Sequence, residues 1–259
     1  MATIKHWTRK FFLVCMWSAL VLIQSADAST VSGVRGGGGF DRDLEGNNAT
    51  TPAKQPRIIN GDKVKDNRYA YFSLMLSQFM CGAVLIGPRL VLGAAHCAGG
   101  SADFRIGAQD DVNSGERIRI QHAVIHPGFD ISSFEYDVAL FYLAEPTQQP
   151  FIQADSTEIT QKGTKLTVIG FGDTIAGNGM ELSEELLEAE LEYVENKECD
   201  KMHGGFDEVS DDMLCAAGKD TDSCGGDSGG PLVLKGNSIA EDRLVSRIWS
   251  PSRKTTWIL

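Results

Sequence analysis

From Arg57 onward the hydrophobic residues fall in short runs separated by Gly, Asn, Asp and Pro: 71–76, 83–86, 90–92, 117–120, 138–143, 166–169 and 232–234. Many brief apolar runs with turn residues between them predict the strands of an all-β sandwich or barrel. The stretch 181–195 is different, being rich in Glu and Leu. Propensity reads it as helix, but nothing caps it clearly, and helix and strand stay equally open there. No internal repeat is visible along the chain.

Upstream of Arg57 the pattern changes. Lys5, Arg9 and Lys10 flank a 13-residue apolar run at 11–23, which is followed by Ala26-Asp27-Ala28. A basic flank, an apolar run and a small-residue site make a secretory signal peptide over 1–28, and the run is short of the ~20 residues that span a bilayer. The expected product is secreted, cut after Ala28, and soluble without a membrane anchor. Residues 29–57 hold Gly36 to Gly39, Pro52, Pro56 and scattered charges, with almost no apolar periodicity. They read as a flexible propeptide. Within it lies the chain's single N-x-S/T sequon, Asn48-Ala49-Thr50, a glycosylation acceptor if it is exposed in the secretory pathway.

Composition sharpens this reading. The chain has 259 residues, 42% hydrophobic and 23% charged, with 28 glycines, as expected for a soluble globular protein with one large all-β domain or two smaller ones. Formal net charge is −11; seven of the 24 basic and four of the 35 acidic residues precede Ile58, which leaves −14 beyond it. Such an acidic surface argues against nucleic acid as a partner and serves solubility. Of the six cysteines, Cys15 departs with the signal, and Cys81, Cys97, Cys199, Cys215 and Cys224 remain. An odd number in an oxidising compartment points to an intermolecular bridge or a missing partner.

Candidate chemistry lies in three motifs, in the order Ala94-Ala95-His96-Cys97, Asp137-Val138-Ala139-Leu140 and Gly226-Asp227-Ser228-Gly229-Gly230-Pro231. A serine hydroxyl is a weak nucleophile at neutral pH and needs a base to take its proton as it attacks a carbonyl carbon. An imidazole, which ordinarily changes charge near neutral pH, suits that role at His96. A buried carboxylate at Asp137 would fix the tautomer and stabilise the imidazolium. The glycine-rich turn around Ser228 would aim the N–H groups of Gly226 and Ser228 at the oxygen of a tetrahedral intermediate. Chain order discriminates further. An α/β-hydrolase would carry its Asp and His after the serine, and no histidine follows Ser228. The order Asp, His, Ser would need Asp62 or Asp66, which lie in no recognisable strand-end motif.

His, Asp, Ser is the order of the trypsin and chymotrypsin family, and the chain resembles that family over about 57–245. Arg57-Ile58-Ile59-Asn60-Gly61, Leu92-Gly93-Ala94-Ala95-His96-Cys97, the Asp137 motif, Gly170-Phe171-Gly172 and the serine loop carry the resemblance. The triad roles given above are those worked out for this family. The resemblance implies two antiparallel six-stranded β-barrels with the active site in the cleft between them, in a peptidase domain over 58–259. It implies a serine endopeptidase working through an acyl-enzyme. Cleavage after Arg57 would free an ammonium at Ile58 to turn inward and pair with Asp227 beside the nucleophile. Asp222 would floor the specificity pocket and select Arg or Lys, with Ser223 and Trp249 also meeting substrate. Protein inhibitors are further expected partners. Disulfides are implied at Cys81–Cys97 and Cys199–Cys215. A zinc reading of these residues fails for want of a C-x-x-C pair. Calcium is not expected either: Ala108 falls where the family carries its first acidic ligand, which leaves Asp110, Asp111 and Glu116 as a solvated turn. No cofactor is implied.

The resemblance breaks after Leu232-Val233-Leu234. The family continues into Val-Ser-Trp-Gly, a cysteine that bridges to the one before the serine loop, and a C-terminal helix, whereas this sequence reads Leu244-Val245-Ser246-Arg247-Ile248-Trp249-Ser250-Pro251. Trp249 stands in for the family tryptophan, and Cys224 lacks its family partner. The departure predicts a second barrel that is incomplete. It also keeps open a second class of function, a catalytically inactive homologue that acts as a binding or decoy protein.

Overall fold

After a two-residue strand β1 (Asp62–Lys63), the chain builds six antiparallel strands: β2 (Phe72–Leu76), β3 (Met80–Gly87), β4 (Leu90–Gly93), β5 (Asp103–Ile106), β6 (Glu116–Ile125) and β7 (Ala139–Leu143). They close into a barrel in the order β2-β3-β4-β7-β6-β5. The computed structural model that shows this describes residues 58, 61–65, 67–77, 80–99, 102–153, 159–174, 181–202, 209–219, 221–236 and 241–245. The expected signal peptide, the propeptide with Asn48 and Arg57, and the tail with Trp249 lie outside the described residues.

Alternation sets the barrel's faces, because successive strand side chains point to opposite sides. On β5, Phe104 and Ile106 are buried while Asp103 and Arg105 face outward; on β7, Ala139, Phe141 and Leu143 are buried. Phe104 meets Phe141 edge to face at 5.5 Å inside the barrel. β6 runs past the expected 117–120 to Ile125, with every residue from Gln121 onward exposed. Its partner β7 supplies the pairing that apolar periodicity did not reveal there.

The second half of the chain forms β8 (Lys165–Gly170), β9 (Leu187–Val194), a short helix α1 (Asn196–Met202), β10 (Cys215–Ala217), β11 (Leu232–Leu234) and β12 (Arg243–Leu244). With β1 these strands make a six-stranded sheet ordered β1-β9-β8-β11-β12, β10 pairing with β9. Among the described residues it is an open sheet, so the all-β architecture is one closed barrel and a second, unclosed half. The stretch 181–195 resolves to strand from Leu187 onward: Leu187, Ala189 and Leu191 are buried, and Glu188, Glu190 and Glu192 point away. Strict alternation outweighs the helix propensity of Glu and Leu once β8 offers a partner.

The two halves share core. Phe72 of the barrel packs on Phe171 at 5.8 Å, and Ile169, Leu186, Val233 and Leu244 belong to the same buried cluster as the barrel interior. A second cluster gathers Ile58, Leu166, Val168, Leu187, Leu191, Leu232 and Val245. A buried ionic clasp holds the edge strand β12. The Arg68 guanidinium donates to both carboxylate oxygens of Asp242. Tyr71 Oη and the Gly236 amide also donate to Asp242, each at 2.8 Å, and Arg68 reaches the Gly236 carbonyl at 3.0 Å. Burial pushes the Tyr71 phenol far above its ordinary range. The clasp ties the segment entering β2 to the turn before β12. Asp242 is buried while Arg68 keeps partial access to solvent, so losing Asp242 mainly leaves the buried Tyr71 hydroxyl and the guanidinium short of an acceptor, which costs roughly 2–4 kcal/mol. Asp242→Ala should lower the unfolding free energy in urea by that amount; a loss within 1 kcal/mol, the range of an exposed pair, would contradict a buried clasp.

Candidate active site

His96 sits in a single 3-10 turn, Ala95–Cys97, just past the end of β4. Asp137 lies just ahead of β7, and the register Gly93↔Ala139 brings the end of β4 to the start of β7. The antiparallel pairing therefore delivers both side chains to one rim of the barrel. A disulfide between Cys97 and Cys81 of β3 pins the turn, with Cα atoms 6.4 Å apart. Asp137 grips His96 twice: Oδ1 accepts the backbone N–H at 2.8 Å, and Oδ2 meets Nδ1 at 2.6 Å. An ionised carboxylate only accepts hydrogen bonds, so the proton resides on Nδ1 and Nε2 presents a lone pair. Phe134, three residues before Asp137, stands edge-on to the imidazole at 5.6 Å.

Ser228 belongs to the connection between β10 and β11. Its loop is folded by Asp227 N–H to Cys224 C=O at 3.1 Å and Gly230 N–H to Asp227 C=O at 2.8 Å. Gly226 and Gly229 adopt φ of 97° and 77°, conformations that cost glycine nothing and other residues much. A Cβ on Gly229 would lie 2.6 Å from the Gly82 carbonyl and 2.9 Å from the Ala94 amide. One on Gly82 would lie 2.6 Å from Gly230 Cα. The serine loop thus rests backbone to backbone on β3 and on the residue that precedes the histidine turn. Cys97 Sγ lies 3.5 Å from His96 Nε2 and 3.9 Å from the Ser228 carbonyl, so the disulfide sulfur stands between the imidazole and the serine backbone. Ser228 makes no hydrogen bond to His96 among the described residues, and neither Gly226 nor Ser228 spends its N–H on an acceptor there. Apo sites commonly tighten their catalytic hydrogen bonds only when substrate arrives.

Asp227 is fully buried behind this loop. Its Oδ1 accepts the Gly172 N–H at 2.8 Å and its Oδ2 the Cys224 N–H at 2.9 Å. A Cβ at Gly170 would lie 2.0 Å from Oδ1, which explains the glycine there. Burial pushes the carboxyl up to about 7 despite the two backbone donors, and Asp222 and Asp173 push the same way. Ile58 is fully buried against Leu166, Val168 and Leu187. Asp222 is half-buried, its Oδ1 accepting the N–H of the buried Ser223 at 2.9 Å. Cys199 and Cys215 form the second disulfide, while Cys224 Sγ lies 4.0 Å from Asp173 Oδ2. Cys81, His96 and Cys97 cluster as metal ligands do, but both sulfurs are spent on their disulfide and neither is a thiolate. Asp111 turns its side chain onto its own loop, accepting the Asn113 N–H, and Glu116 accepts from Thr147.

Sequence reasoning missed Phe134 and Asp212. Asp212 Oδ2 accepts the N–H of Tyr136 at 2.7 Å from 76 residues away, and no local pattern announces such a contact. Phe134 gave no distinct signal, being one of three aromatic residues, with Phe129 and Tyr136, in the stretch before Asp137.

The family model described as Trypsin matches residues 58–246. Trypsin 5G1 of Aedes aegypti is 37% identical over 194 residues, covering 68% of this chain and 71% of the relative. Trypsin iota of Drosophila melanogaster is 33% identical over 195 residues, covering 71% and 76%. Kallikrein 1-related peptidase b3 of Mus musculus is 31% identical over 208 residues, covering 71% and 78%. A match over most of the chain, a closed antiparallel barrel beside a second sheet, and the paired His96 and Asp137 near a glycine-lined serine loop lead to one conclusion: the chain belongs to the trypsin family of serine endopeptidases.

Proposed function

We propose that this chain is the precursor of a secreted endopeptidase that cleaves after Arg or Lys and is activated by cleavage after Arg57. The double grip of Asp137 on His96 carries the reading, because it leaves Nε2 as a base, 3.5 Å from the Cys97 sulfur that itself lies 3.9 Å from the Ser228 carbonyl. Ser228 Oγ attacks the substrate carbonyl carbon as His96 Nε2 takes its proton, and the oxygen becomes an oxyanion held by the N–H groups of Gly226 and Ser228. The C–N bond then breaks, His96 returns the proton to the leaving amine, and an acyl-enzyme remains. Water repeats the sequence from the other side and restores the hydroxyl. Asp222, half-buried six residues before Ser228, offers a carboxylate to a guanidinium or ammonium; the family resemblance alone assigns Trp249 to the same substrate site. Secretion rests on the signal-like pattern of residues 1–28.

Activation follows from the electrostatics of Asp227. Its carboxylate is buried with two amide donors and no ion-pair partner among the described residues. A new ammonium at Ile58 supplies the missing charge, and the pair orders the oxyanion loop that adjoins it.

With the chain cut at Arg57, an Arg-terminated anilide should be hydrolysed and a Leu-terminated one left intact, with Ser228→Ala inert on both. Asp222→Ser should lower kcat/KM on the Arg substrate on the order of 10,000-fold. Turnover equal to that of Ser228→Ala would overturn the catalytic reading; an unchanged preference in Asp222→Ser would overturn the specificity alone.

The uncut chain carries its own pH signature. Asp227 holds its proton up to about 7 in the folded state, against an ordinary 3.8, so between those values the folded state binds the extra proton and stability falls as pH rises. At about 1.4 kcal/mol per unit the loss is on the order of 4 kcal/mol. Urea unfolding of the uncut chain should show that slope, and Asp227→Asn should lack it. Identical slopes in the two proteins would mean that Asp227 is not a buried, unpaired carboxyl.

A further inference from the structure

Asp137 and His96 stand on the barrel, while Ser228 stands on a loop of the second half, so the angle between base and nucleophile depends on what joins the two. Residues 126–138 connect β6 to β7, and much of the connection faces solvent: Ile131, Glu135 and Tyr136 are all exposed, the Tyr136 ring being stacked on His126. Phe134 and Tyr136 both adopt left-handed backbone conformations, with φ of 57° and 52°, which non-glycine residues keep only when their surroundings enforce them. The Tyr136 carbonyl accepts the Val138 N–H at 2.7 Å, closing a tight turn with Asp137 at its apex. On the other side of the same residue, the Tyr136 N–H donates to Asp212 Oδ2 at 2.7 Å.

Asp212 is itself firmly held. Its Oδ1 accepts from Ser210 Oγ at 2.5 Å. The surrounding turn is closed by Met213 N–H to Ser210 C=O at 3.1 Å. Asn196 Nδ2 donates to the Ser210 and Met213 carbonyls at 3.1 and 2.9 Å. Cys215, three residues on, is bridged to Cys199 in α1. The turn is thus anchored to the second half by a disulfide and two side-chain hydrogen bonds from Asn196. A continuous path runs from it through Asp212, the Tyr136 amide and the Asp137 turn to His96.

We infer that Asp212 is a positioning residue, which seats the Asp137 turn from across the two halves of the molecule and so fixes the imidazole relative to Ser228. The inference rests on the reading of Asp137 as the carboxylate that orients His96. Its basis is geometric: Phe134 N–H to Asp130 C=O at 2.7 Å and the Tyr136 ring stacked on His126 at 4.8 Å hold the turn from its own side, Asp212 adds the hydrogen bond that ties it to the second half, and losing that tie lets the Asp137 carboxylate shift relative to Ser228. A displacement of about 1 Å in a reacting group costs on the order of 100-fold in rate.

The test uses the chain cut at Arg57 and two readouts: steady-state kinetics on the Arg-terminated anilide, and the far-downfield proton resonance of His96 Nδ1–H in its bond to Asp137. In Asp212→Ala, kcat should fall about 10- to 100-fold with KM changed less than threefold, and the resonance should broaden or move upfield. Asp212→Asn keeps an oxygen acceptor for the Tyr136 N–H and should restore both readouts to near those of the parent. Ser210→Ala removes the hydroxyl that donates to Asp212 Oδ1 and should fall between them, which keeps the test sound if Asp212→Ala does not fold. An unmoved resonance and unchanged kcat in Asp212→Ala, or in Ser210→Ala where the former is unfolded, would overturn the inference. So would an Asp212→Asn chain as impaired as Asp212→Ala. A parent that shows the resonance yet turns over no substrate would sink the peptidase reading alone, and the resonance in the variants would still decide the role of Asp212.

Discussion

Gly82 on β3 and Gly229–Gly230 in the serine loop touch backbone to backbone, with no room for a single added carbon on either side. That contact is the constraint on which the site depends. His96 and Asp137 come from a closed barrel, Ser228 from a loop of the second half, and only close approach of the two backbones brings them into one place. Glycine is required by sterics at the seam and by backbone angle at Gly226 and Gly229, so the serine motif is a packing device as much as a chemical one. Around the contact the halves are tied by a shared core at Phe72 and Phe171, by the Arg68–Asp242 clasp, and by the bond from Tyr136 to Asp212.

Electrostatics adds a second layer behind the same loop. A carboxylate that is fully buried with two amide donors is an unfinished arrangement, since its charged form has no cation partner among the described residues. Burial therefore lifts its proton affinity to the neighbourhood of neutral pH. The fold tolerates this because Gly170 and Gly172 leave space for the carboxyl and Gly172 offers an N–H to it. The group that destabilises the uncut chain is, in the proposed mechanism, the one that an ammonium at Ile58 satisfies. Stability and activation then share a single side chain.

Much of this was legible in the sequence, for reasons that differ from residue to residue. Strands such as β3 and β7 announce themselves through short apolar runs, whereas β5, whose Asp103-Phe104-Arg105-Ile106 has only two apolar residues, went unread; His96, Asp137 and Ser228 announce themselves through motifs whose order is informative. β9 was ambiguous because Glu and Leu favour helix, although its alternation from Leu187 to Leu191 held the answer. β6 beyond Ile120 could not be read, because its exposed outer residues carry no apolar period and its pairing with β7 is a long-range fact. Asp242 and Asp212 were equally silent. Each acts through a partner more than 70 residues away, Arg68 at a separation of 174 and Tyr136 at 76. A buried clasp and a cross-seam acceptor are properties of the folded chain.

The central claim is that Ser228 is a nucleophile activated by His96 once the chain is cut. The most direct measurement is covalent labelling with a fluorophosphonate, followed by peptide mass analysis. The account predicts one adduct, on Ser228, formed rapidly in the cut chain and strongly slowed by His96→Ala. No adduct on Ser228, or labelling indifferent to His96→Ala, would contradict it.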